Sequence, residues 1–374
     1  MARSAAPGAR SSNQRAESDT NVAPPAFVTT RYQGSKQRLI PFLDGALRGL
    51  SFDSAVDVFG GTGAVSHYFK RLGKAVHYND VLAANAVSAV ALVENATMRV
   101  ERPRASAILV RDRARRYARF IERTFEDVFY LPHENRWLDV VAQNAAAIED
   151  RFERALVQHA LFQACLMKRP FNLFHRKNLS VRTARVARSF GNKTTWERPF
   201  EDLFFAALDR ANNAVFDNGR TNTVSCLDAF SCPLDGDLVY LDPPYVRADG
   251  ASFSYRDGYH FLEGLIDYRG WPARIDKSKK HLPYDVPRSV FEDPKTIVEA
   301  LDELFVRSSR ARYVVLSYRR DGLPSIDAVV RSLERLGREV RVHEQPAAYA
   351  LSRRATADVL VVAARGLVRG TSID

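Results

Sequence analysis

The sequence is poor in cysteine and contains no long apolar run. Its three cysteines match no Cys/His metal spacing and its eight histidines are scattered, so neither a disulfide framework nor a metal site is expected. The cysteines are interpreted as core thiols. No stretch approaches the roughly 18 apolar residues of a membrane span, and residues 1–25 lack the apolar segment of a signal peptide. We therefore expect a cytoplasmic protein without membrane contact.

The chain does have a large apolar fraction and an excess of positive charge. With 374 residues, of which 46% are hydrophobic, it can form one large domain or two ordinary ones. Residues 161–200 contain nine lysines and arginines and a single acid, Glu197. The segment therefore carries eight of the eleven net positive charges of the chain. The segment is also rich in phenylalanine and asparagine. This mixture is typical of a nucleic-acid-binding surface.

The order of predicted elements indicates an α/β fold with a parallel sheet and one insertion. Residues 1–28 have the composition of a disordered basic tail. Strands and helices alternate over residues 29–98 and again over residues 205–374, which we interpret as one domain. Between them, residues 99–204 form Arg- and Ala-rich helical stretches, followed by a basic aromatic segment that looks irregular or hairpin-like. We predict that residues 99–204 are a mainly helical, basic inserted domain.

Within the α/β domain, Ser35 is predicted to cap a helix that runs to about Leu47. The other elements follow from hydrophobic periodicity and turn residues. Helices are expected at about residues 64–71, from 81 onward, and at 200–215, 294–306 and 325–336. Strands are expected at about 55–58, 75–78, 223–225, 237–241, 313–317, 339–343 and 359–363.

Two strand ends indicate a nucleoside pocket. The first strand runs into residues 57–63 (DVFGGTG), whose glycines let the backbone approach a ligand closely, and the second ends at Asp80, placed to bind a ribose diol. A dinucleotide fingerprint would need glycine at position 66, which is Ser66. S-adenosylmethionine therefore fits better than NAD, because it has an adenosine but no pyrophosphate. Its positive sulfonium also suits the strand-end carboxylates Asp57, Asp80, Asp228 and Asp242.

A third strand end indicates a site that handles an amine. The apolar run at 238–241 is followed by Asp242, two prolines and Tyr245. Since proline restricts its own backbone and that of the preceding residue, the Asp242 carboxylate and the Pro243 carbonyl can stand side by side as two acceptors for one NH2 group. Tyr245 can then lie on the aromatic base that carries the amine. The motif alone does not decide which base this is.

Five motifs in order carry a resemblance to a known family. They are Tyr32-x-Gly34-x-Lys36, Asp57-x-Phe59-x-Gly61-x-Gly63, Asn79-Asp80, Asp228-x-Phe230 and Asp242-Pro243-Pro244-Tyr245. Over about residues 30–365, the chain resembles DNA adenine methylases of the group whose target-recognition insertion lies between the cofactor and catalytic motifs. The resemblance implies a Rossmann-like sheet of the S-adenosylmethionine-dependent methyltransferase type. It also implies methyl transfer to N6 of an adenine flipped out of double-stranded DNA, in a restriction-modification system whose endonuclease is a candidate partner.

The same resemblance implies a role for each motif residue. Tyr32 and Lys36 contact the cofactor and its methionine carboxylate; Asp57 with the Gly61 and Gly63 turn holds the methionine part. Asp80 takes the ribose hydroxyls, Asp228 with Phe230 frames the adenine, and Asp242, Pro243 and Tyr245 are catalytic. Base-edge candidates in the insertion are Asn172, Asn178, Asn192, Arg182 and Arg185. The chain departs from the minimal family pattern after Tyr245, where the longer loop at residues 257–281 is expected to close over the extruded base.

Four other functions fit parts of the sequence. An N4-cytosine methyltransferase would use the same two acceptors, and an RNA substrate would suit the same basic segment. A non-catalytic DNA-binding protein on this fold is disfavoured by the intact motif at 242–245 and by Lys36. An NAD-dependent dehydrogenase is disfavoured by Ser66 and by the lack of a convincing hydride-transfer acid.

Overall fold

The centre of the molecule is a seven-stranded sheet. The computed structural model describes Phe27, Tyr32 and residues 34–184, 193–347 and 356–366. The strands are β1 (Ser54–Asp57), β2 (Ala75–Asn79), β3 (Thr223–Ser225), β4 (Leu238–Leu241), β5 (Tyr313–Arg319), β6 (Arg338–Ala347) and β7 (Thr356–Arg365). Their order is β3-β2-β1-β4-β5-β7-β6, and β7 runs antiparallel to both of its neighbours while all other pairs are parallel. The predicted α/β class with a parallel sheet is confirmed.

Thirteen α-helices of the described residues surround the sheet. Those of the first half are α1 (Ile40–Leu47), α2 (Ala64–Arg71), α3 (Ala83–Ala89), α4 (Arg102–Leu109), α5 (Phe120–Thr124), α6 (Pro132–Ala146) and α7 (Arg151–Met167). They are followed by α8 (Leu179–Thr183), α9 (Lys193–Glu197), α10 (Phe200–Ala214), α11 (Tyr255–Ile266), α12 (Ile297–Arg307) and α13 (Ile326–Arg335). A π-helix, Val90–Glu94, continues α3. Within the described residues, no helix is both long and apolar enough to cross a membrane.

The chain reverses direction across the sheet between β1 and β4. After β1 it moves to β2 and β3 on one side, and it then returns to β4 on the other side. In the paired register Asp57 stands opposite Tyr78 of β2 and Tyr240 of β4. The carboxyl ends of these three strands therefore meet at one edge, which is where open α/β sheets bind ligands.

Helices cover the sheet on both faces and also build a second core beyond its β3 end. One face packs α1 and α2 on β1, β2 and β4, and the other packs α12 and α13 on β4, β5 and β7. The helices α4 to α7 share a single hydrophobic core with α3, α10 and α11, in which Leu92, Leu156, Leu208 and Phe261 are all buried. The inserted helices are therefore built on the sheet domain, and the boundaries 99–204 stay a prediction.

Two local predictions are wrong. Ser35 does not cap a long helix, because a 3-10 turn, Lys36–Leu39, precedes α1 and the Ser35 hydroxyl lies 3.5 Å from that of Thr62 instead. The described part of residues 161–200 contains no hairpin; it consists of the end of α7, a 3-10 turn, α8, α9 and the connections between them. The predicted tail, residues 1–28, lies outside the described residues apart from Phe27.

Several cations of the basic segment are buried. Glu134 of α6 forms ion pairs of 2.8 Å with both Lys168 and Arg182, and all three side chains are nearly inaccessible. Arg169 is 1% exposed, its guanidinium lies over the rings of Phe129 and Phe174, and it donates to backbone carbonyls. These cations hold the helices together. The expectation that these three cations face nucleic acid is wrong, because they are buried inside the protein. The local sequence did not reveal this, since Glu134, the acid that neutralises two of them, lies far upstream.

The other base-edge candidates are divided between buried, half-buried and undescribed positions. Asn178 is buried and Asn172 is half-buried, whereas Arg185 and Asn192 lie outside the described residues. The exposed cations of the described segment are Arg176, Lys177, Lys193 and Arg198. Among the described residues of this segment, these four cations remain available for contact with a phosphate backbone.

Glu134→Gln tests the structural role of the buried cations. An amide cannot neutralise Lys168 and Arg182, and leaving a buried charge without its partner typically costs about 3–5 kcal/mol. We expect a loss of about 3 kcal/mol in the free energy of unfolding, measured by urea denaturation. The matched control is Glu197→Gln, which removes an exposed pair with Lys193 and should change stability by less than about 0.5 kcal/mol. Equal effects of the two substitutions would contradict this account.

Candidate active site

A cleft that encloses about 900 Å³, part of it open solvent, lies at the carboxyl ends of β1, β2 and β4. The switch point of an α/β sheet is a place where ligand sites commonly occur. Seven of the predicted site residues line it: Tyr32, Lys36, Asp57, Gly61, Asp80, Asp228 and Asp242. The other four, Gly63, Phe230, Pro243 and Tyr245, do not line the cleft themselves, but each is adjacent in sequence to a residue that does. The topology thus collects residues from five separate motifs in one cavity.

The glycine turn after β1 is held tightly against β2. A Cβ atom at Gly60 would lie 2.0 Å from the ring of Tyr78, so only glycine fits there. Gly61 and Gly63 have φ values of 51° and 78°, which residues with a side chain disfavour. Gly63 is the N-cap residue of α2. The Tyr78 hydroxyl donates to the Gly61 carbonyl over 2.7 Å. At Gly60 and Gly61 the backbone of this turn therefore lines the cleft without a side chain.

Asp80 joins the glycine turn to the start of α3. One carboxylate oxygen accepts the Gly61 N–H and the other accepts the Leu82 N–H, each over 2.8 Å. Burial raises the pKa of Asp80, and the two backbone hydrogen bonds oppose that rise. A hydrogen bond from the Asn85 side chain also lowers the pKa. A carboxylate has about four lone-pair sites, so a position remains for a hydroxyl group of a ligand in the cleft.

Asp57 is a buried carboxylate with one oxygen in use. Its Oδ2 accepts a hydrogen bond of 2.7 Å from Ser66, while Oδ1 is buried with no hydrogen-bond partner. Burial raises the pKa of Asp57 to about 7. Ser66, the residue that breaks the dinucleotide pattern, thus orients this carboxylate. The open oxygen suits a cationic group of a ligand, because an unpartnered buried acceptor is costly.

Asp242 is bound on both carboxylate oxygens. Its Oδ2 lies 2.6 Å from the Lys36 ammonium, and its Oδ1 accepts a hydrogen bond of 3.0 Å from the Tyr245 hydroxyl. That hydroxyl also lies 3.3 Å from the Ser317 hydroxyl of β5, and the Lys36 ammonium lies 4.9 Å from the Tyr245 ring centre. Burial raises the pKa of Asp242, and the nearby Lys36 opposes the rise. Both ends of the pair are largely shielded from water.

Tyr32 and Asp228, almost 200 residues apart in the chain, both line the cleft. The Tyr32 hydroxyl accepts from the Asn85 amide over 2.9 Å, and its ring stacks on Tyr259 of α11 at 4.1 Å between centres. Asp228 is exposed, and its carboxylate accepts the Phe230 N–H over 2.9 Å. Phe230 packs against another aromatic ring, that of Phe291, which itself lines the cleft.

Among the lining residues not found from the sequence, four come from the segment that contains α11 and the loop after it. Tyr255 and Arg256 begin α11, and Phe291 and Glu292 follow the long loop after it. The Nε of Arg256 and Oε2 of Glu292 are buried without hydrogen-bond partners, while Oε1 of Glu292 accepts the Tyr255 N–H. No motif or spacing in one sequence marks these positions. They enter the cleft only because the two ends of the 254–292 segment meet.

The strand order with an antiparallel seventh strand, together with the carboxylate-lined cleft, defines an α/β methyltransferase. The chain belongs to the D12 class N6 adenine-specific DNA methyltransferase family, whose model matches residues 32–264. The predicted fold class, the methyl-transfer activity and the adenine N6 target are thereby confirmed. Membership of the family implies a methyl donor and a DNA substrate.

Individual relatives agree with this assignment. The chain is 26% identical over 333 residues to Type II methyltransferase M2.HphI of Haemophilus parahaemolyticus, covering 87% of this chain and 93% of that protein. It is 22% identical over 329 residues to Modification methylase StsI of Streptococcus sanguinis, covering 81% of this chain and 46% of that protein. Type II methyltransferase M.NlaIII of Neisseria lactamica is 32% identical over 106 residues, which is 28% of each chain.

Gly60→Ala tests the close contact between the glycine turn and β2. The added methyl group would press on the fully buried Tyr78 ring, and overpacking of this kind typically costs about 1–3 kcal/mol. We expect a lower melting temperature, and a weaker methyl-donor affinity because the turn must move. Gly45→Ala in α1 is the control: nothing lies within 4 Å of its Cβ position, so stability should be unchanged or slightly higher. A variant at Gly60 as stable as wild type would contradict the packing argument.

Proposed function

We propose that this protein moves the methyl group of S-adenosylmethionine to N6 of an adenine extruded from a short double-stranded DNA sequence. The observation that carries the proposal is the cleft in which the Asp242 carboxylate lies beside Lys36 and shares a cavity with Asp57, Asp80 and the glycine turn. One end of the cavity suits a cationic nucleoside, and the other end suits an aromatic amine.

The cleft fits S-adenosylmethionine on features of the protein itself. The buried Oδ1 of Asp57 has no partner and suits the ammonium of the methionine part, and the side-chain-free wall at Gly60 admits close approach. The free lone pairs of Asp80 suit the ribose, and Asp228 is placed to frame the adenine ring. When bound, the cofactor supplies a methyl group made electrophilic by its positively charged sulfur.

Asp242 would act on the amine of the target base. The adenine N6 lone pair is delocalised into the ring, which makes it a poor nucleophile. Hydrogen bonds from N6 to the Asp242 carboxylate and the Pro243 carbonyl would draw the nitrogen towards tetrahedral geometry and free that lone pair. The raised pKa of Asp242 also makes its carboxylate a better acceptor for the proton that N6 releases. The catalytic roles proposed for Pro243 and Tyr245 rest on their positions next to Asp242: Pro243 follows it in sequence, and the Tyr245 hydroxyl donates to its carboxylate.

Hydrogen bonding at Asp242 supplies only part of the rate enhancement. A hydrogen bond to a charged acceptor contributes about 1.5–3 kcal/mol, whereas enzymes typically lower barriers by about 8 kcal/mol or more. Holding the base and the cofactor in line must contribute much of the difference. The rigid turn at Gly61 and the fixed carboxylate at Asp242 are the parts of the chain that would hold them.

Lys36 competes with the target base for Asp242. Its ammonium lies 2.6 Å from Oδ2, one of the acceptors that the N6 amine would use. Binding of the base therefore requires Lys36 to share or release that oxygen. Released, its ammonium stays within the same cleft, where the cofactor carboxylate expected from the family resemblance is a second partner. Burial opposes charge on Lys36, but Asp242 raises its pKa above the ordinary value, so it remains cationic.

The DNA side of the proposal rests on a turn beside α11. Phe171 is 61% exposed and adopts a φ of 65°, and the next residue, Asn172, also has a positive φ. The turn is tied to α11 by a hydrogen bond of 2.9 Å from the Phe174 N–H to the Gly258 carbonyl. Because α11 begins at the cleft, this contact supports a role for the exposed Phe171 ring in stacking on an unpaired base, as aromatic rings do on bases outside a duplex. Residues 99–204 accordingly remain our proposal for target recognition.

We further propose that the protein is the modification enzyme of a restriction-modification system and acts in the cytoplasm. The support is that the names of the relatives include Type II methyltransferase and Modification methylase. A cognate endonuclease for the same DNA sequence is then the expected functional partner. Sequencing methylated bases in DNA from cells that express the chain tests base, substrate and target sequence together.

Asp242→Ala tests the catalytic assignment. Losing the charged acceptor for N6 should lower the single-turnover rate of adenine methylation about 100-fold or more, while DNA binding persists. The measurement is the incorporation of labelled methyl groups into DNA, with folding checked by circular dichroism. Asp249→Ala is the control, since this exposed carboxylate lies four residues beyond the motif, where it pairs with Arg247 and accepts the Ala251 N–H. Wild-type turnover in the Asp242 variant would remove it from the mechanism.

Asp57 should make cofactor binding depend on pH. Its pKa of about 7 means that lowering the pH from 7.5 to 6 protonates most of the group, while the cofactor ammonium stays charged. We expect the affinity for S-adenosylmethionine to fall about eightfold over that interval, measured by calorimetry at constant ionic strength. Asp57→Asn should bind weakly at both pH values, with no such dependence. A wild-type affinity that is constant with pH would argue against an ion pair at this carboxylate.

A further inference from the structure

A second group of exposed cations lies in the segment after α11. Lys277, Lys279 and Lys280 stand at the tip of a short antiparallel turn, residues 275–284, which we call the lysine turn. Its two arms meet at the bridge between Ile275 and Tyr284. These lysines were seen in the sequence only as part of a longer loop, and the proposed function gives them no role.

The lysine turn is a defined structure. The Asp276 N–H donates to the Pro283 carbonyl over 2.8 Å, and the Leu282 N–H donates to the Lys279 carbonyl over 3.0 Å. The Asp276 carboxylate accepts the Ser278 N–H over 2.9 Å. At its base Tyr284 is buried in the helical core. The tip is therefore fixed relative to the body of the protein.

The charge at this tip is largely uncompensated. Lys279 lies 3.6 Å from the Asp276 carboxylate, a distance typical of a weak surface pair. For Lys277 and Lys280 the structure shows no ion pair among the residues it describes. A rigid loop that presents three neighbouring cations, with one acid, Asp276, directly before them, is suited to a polyanion.

Contacts at the base of the lysine turn place it at the mouth of the cleft. His281 lies 3.0 Å from the Asp257 carboxylate in the first turn of α11, which also carries the cleft residues Tyr255 and Arg256. The ring of His281 is 5.8 Å from that of His260, whose Nε2 lies 3.2 Å from the Phe174 carbonyl. The lysine turn and the turn bearing Phe171 therefore pack against the same end of α11.

We propose that the lysine turn binds the phosphate backbone of the DNA duplex beside the extruded base. Together with the exposed Arg176 and Lys177, it forms a positively charged rim next to Phe171. This inference deepens the proposed function and rests on it. Extruding a base costs a few kcal/mol, and phosphate contacts on either side of the gap help to offset that cost without reading sequence.

The arrangement favours backbone contact over base reading. Lysine ammonium groups are flexible point charges that bind phosphate well, whereas base edges are usually read by the planar groups of arginine, asparagine and glutamine. Duplex DNA presents one phosphate per 3.4 Å of axis on each strand, so neighbouring lysines on one loop can meet successive phosphates. The lysine turn thus adds affinity beside the turn that bears Phe171, at the same end of α11.

The test compares two variants with equal loss of charge. One replaces Lys277, Lys279 and Lys280 by Gln, and the control replaces Arg310, Arg331 and Arg335 by Gln. The three control residues are exposed. Arg310 precedes the amino end of β5, and Arg331 and Arg335 lie in the second half of α13, whereas the cleft lies at the carboxyl ends of the strands. Affinity for one fixed duplex is measured by fluorescence anisotropy over a series of salt concentrations.

The expected result is a smaller salt dependence for the lysine variant alone. Each lost phosphate contact reduces the magnitude of the slope of log K against log salt by about 0.9. In the variant that lacks all three lysines, the magnitude of this slope should therefore fall by about 2 to 3. The control variant should keep the wild-type slope. In the wild type, amine labelling read by mass spectrometry should show the three lysines protected by duplex DNA and exposed again at salt that dissociates it.

Two results would overturn the proposal: a slope equal to that of wild type, or lysines labelled equally with and without DNA. Labelling of the unmodified protein keeps the test valid even if the variant folds poorly. Failure of the proposed function would look different, because the wild-type protein would then leave adenine unmethylated in cellular DNA whatever the lysine variant does.

Discussion

The buried carboxylate of Asp242 is the constraint on which the rest of the site depends. An ionised group with little access to water needs a counter-charge and further hydrogen bonds, and here Lys36 and Tyr245 provide them. Lys36 comes from a 3-10 turn before β1, while Asp242 ends β4 on the other side of the sheet's switch point. One ion pair therefore ties the turn before β1 to the end of β4, and in the proposed mechanism this pair loosens when the amine binds.

The other carboxylates of the cleft differ from Asp242 in how they are satisfied. Both carboxylate oxygens of Asp80 accept backbone N–H groups, those of Gly61 and Leu82, whereas one buried oxygen of Asp57 has no hydrogen-bond partner. The first arrangement makes the site rigid, and the second leaves it incomplete until a cation arrives. Burying an unpartnered acceptor costs free energy. A cationic ligand recovers part of that cost on binding, so the protein should be more stable with its cofactor than without it.

Positive charge serves two opposite purposes in this fold. Lys168 and Arg182 are withdrawn from water and neutralised by Glu134, which joins the inserted helices to one another. Arg176 and Lys177, a few residues after Phe171, by contrast remain exposed. Net charge therefore overstates the surface available to DNA. The relevant quantity is the charge that tertiary packing leaves uncovered near the cleft, and among the described residues we propose two segments for it, about 100 residues apart in the sequence.

The sequence by itself determined the sheet, its glycine turn and the carboxylates at Asp57, Asp80 and Asp242. It did so because strand periodicity and turn residues are local signals, and the carboxyl ends of parallel strands must meet at one edge. It did not reveal that Arg182 is buried, that Ser66 orients Asp57, or that Arg256 and Glu292 enter the cleft. Each of these depends on a partner or an approach made by a distant segment. Only the packed tertiary structure decides those contacts, because burial and pairing are properties of neighbours in space.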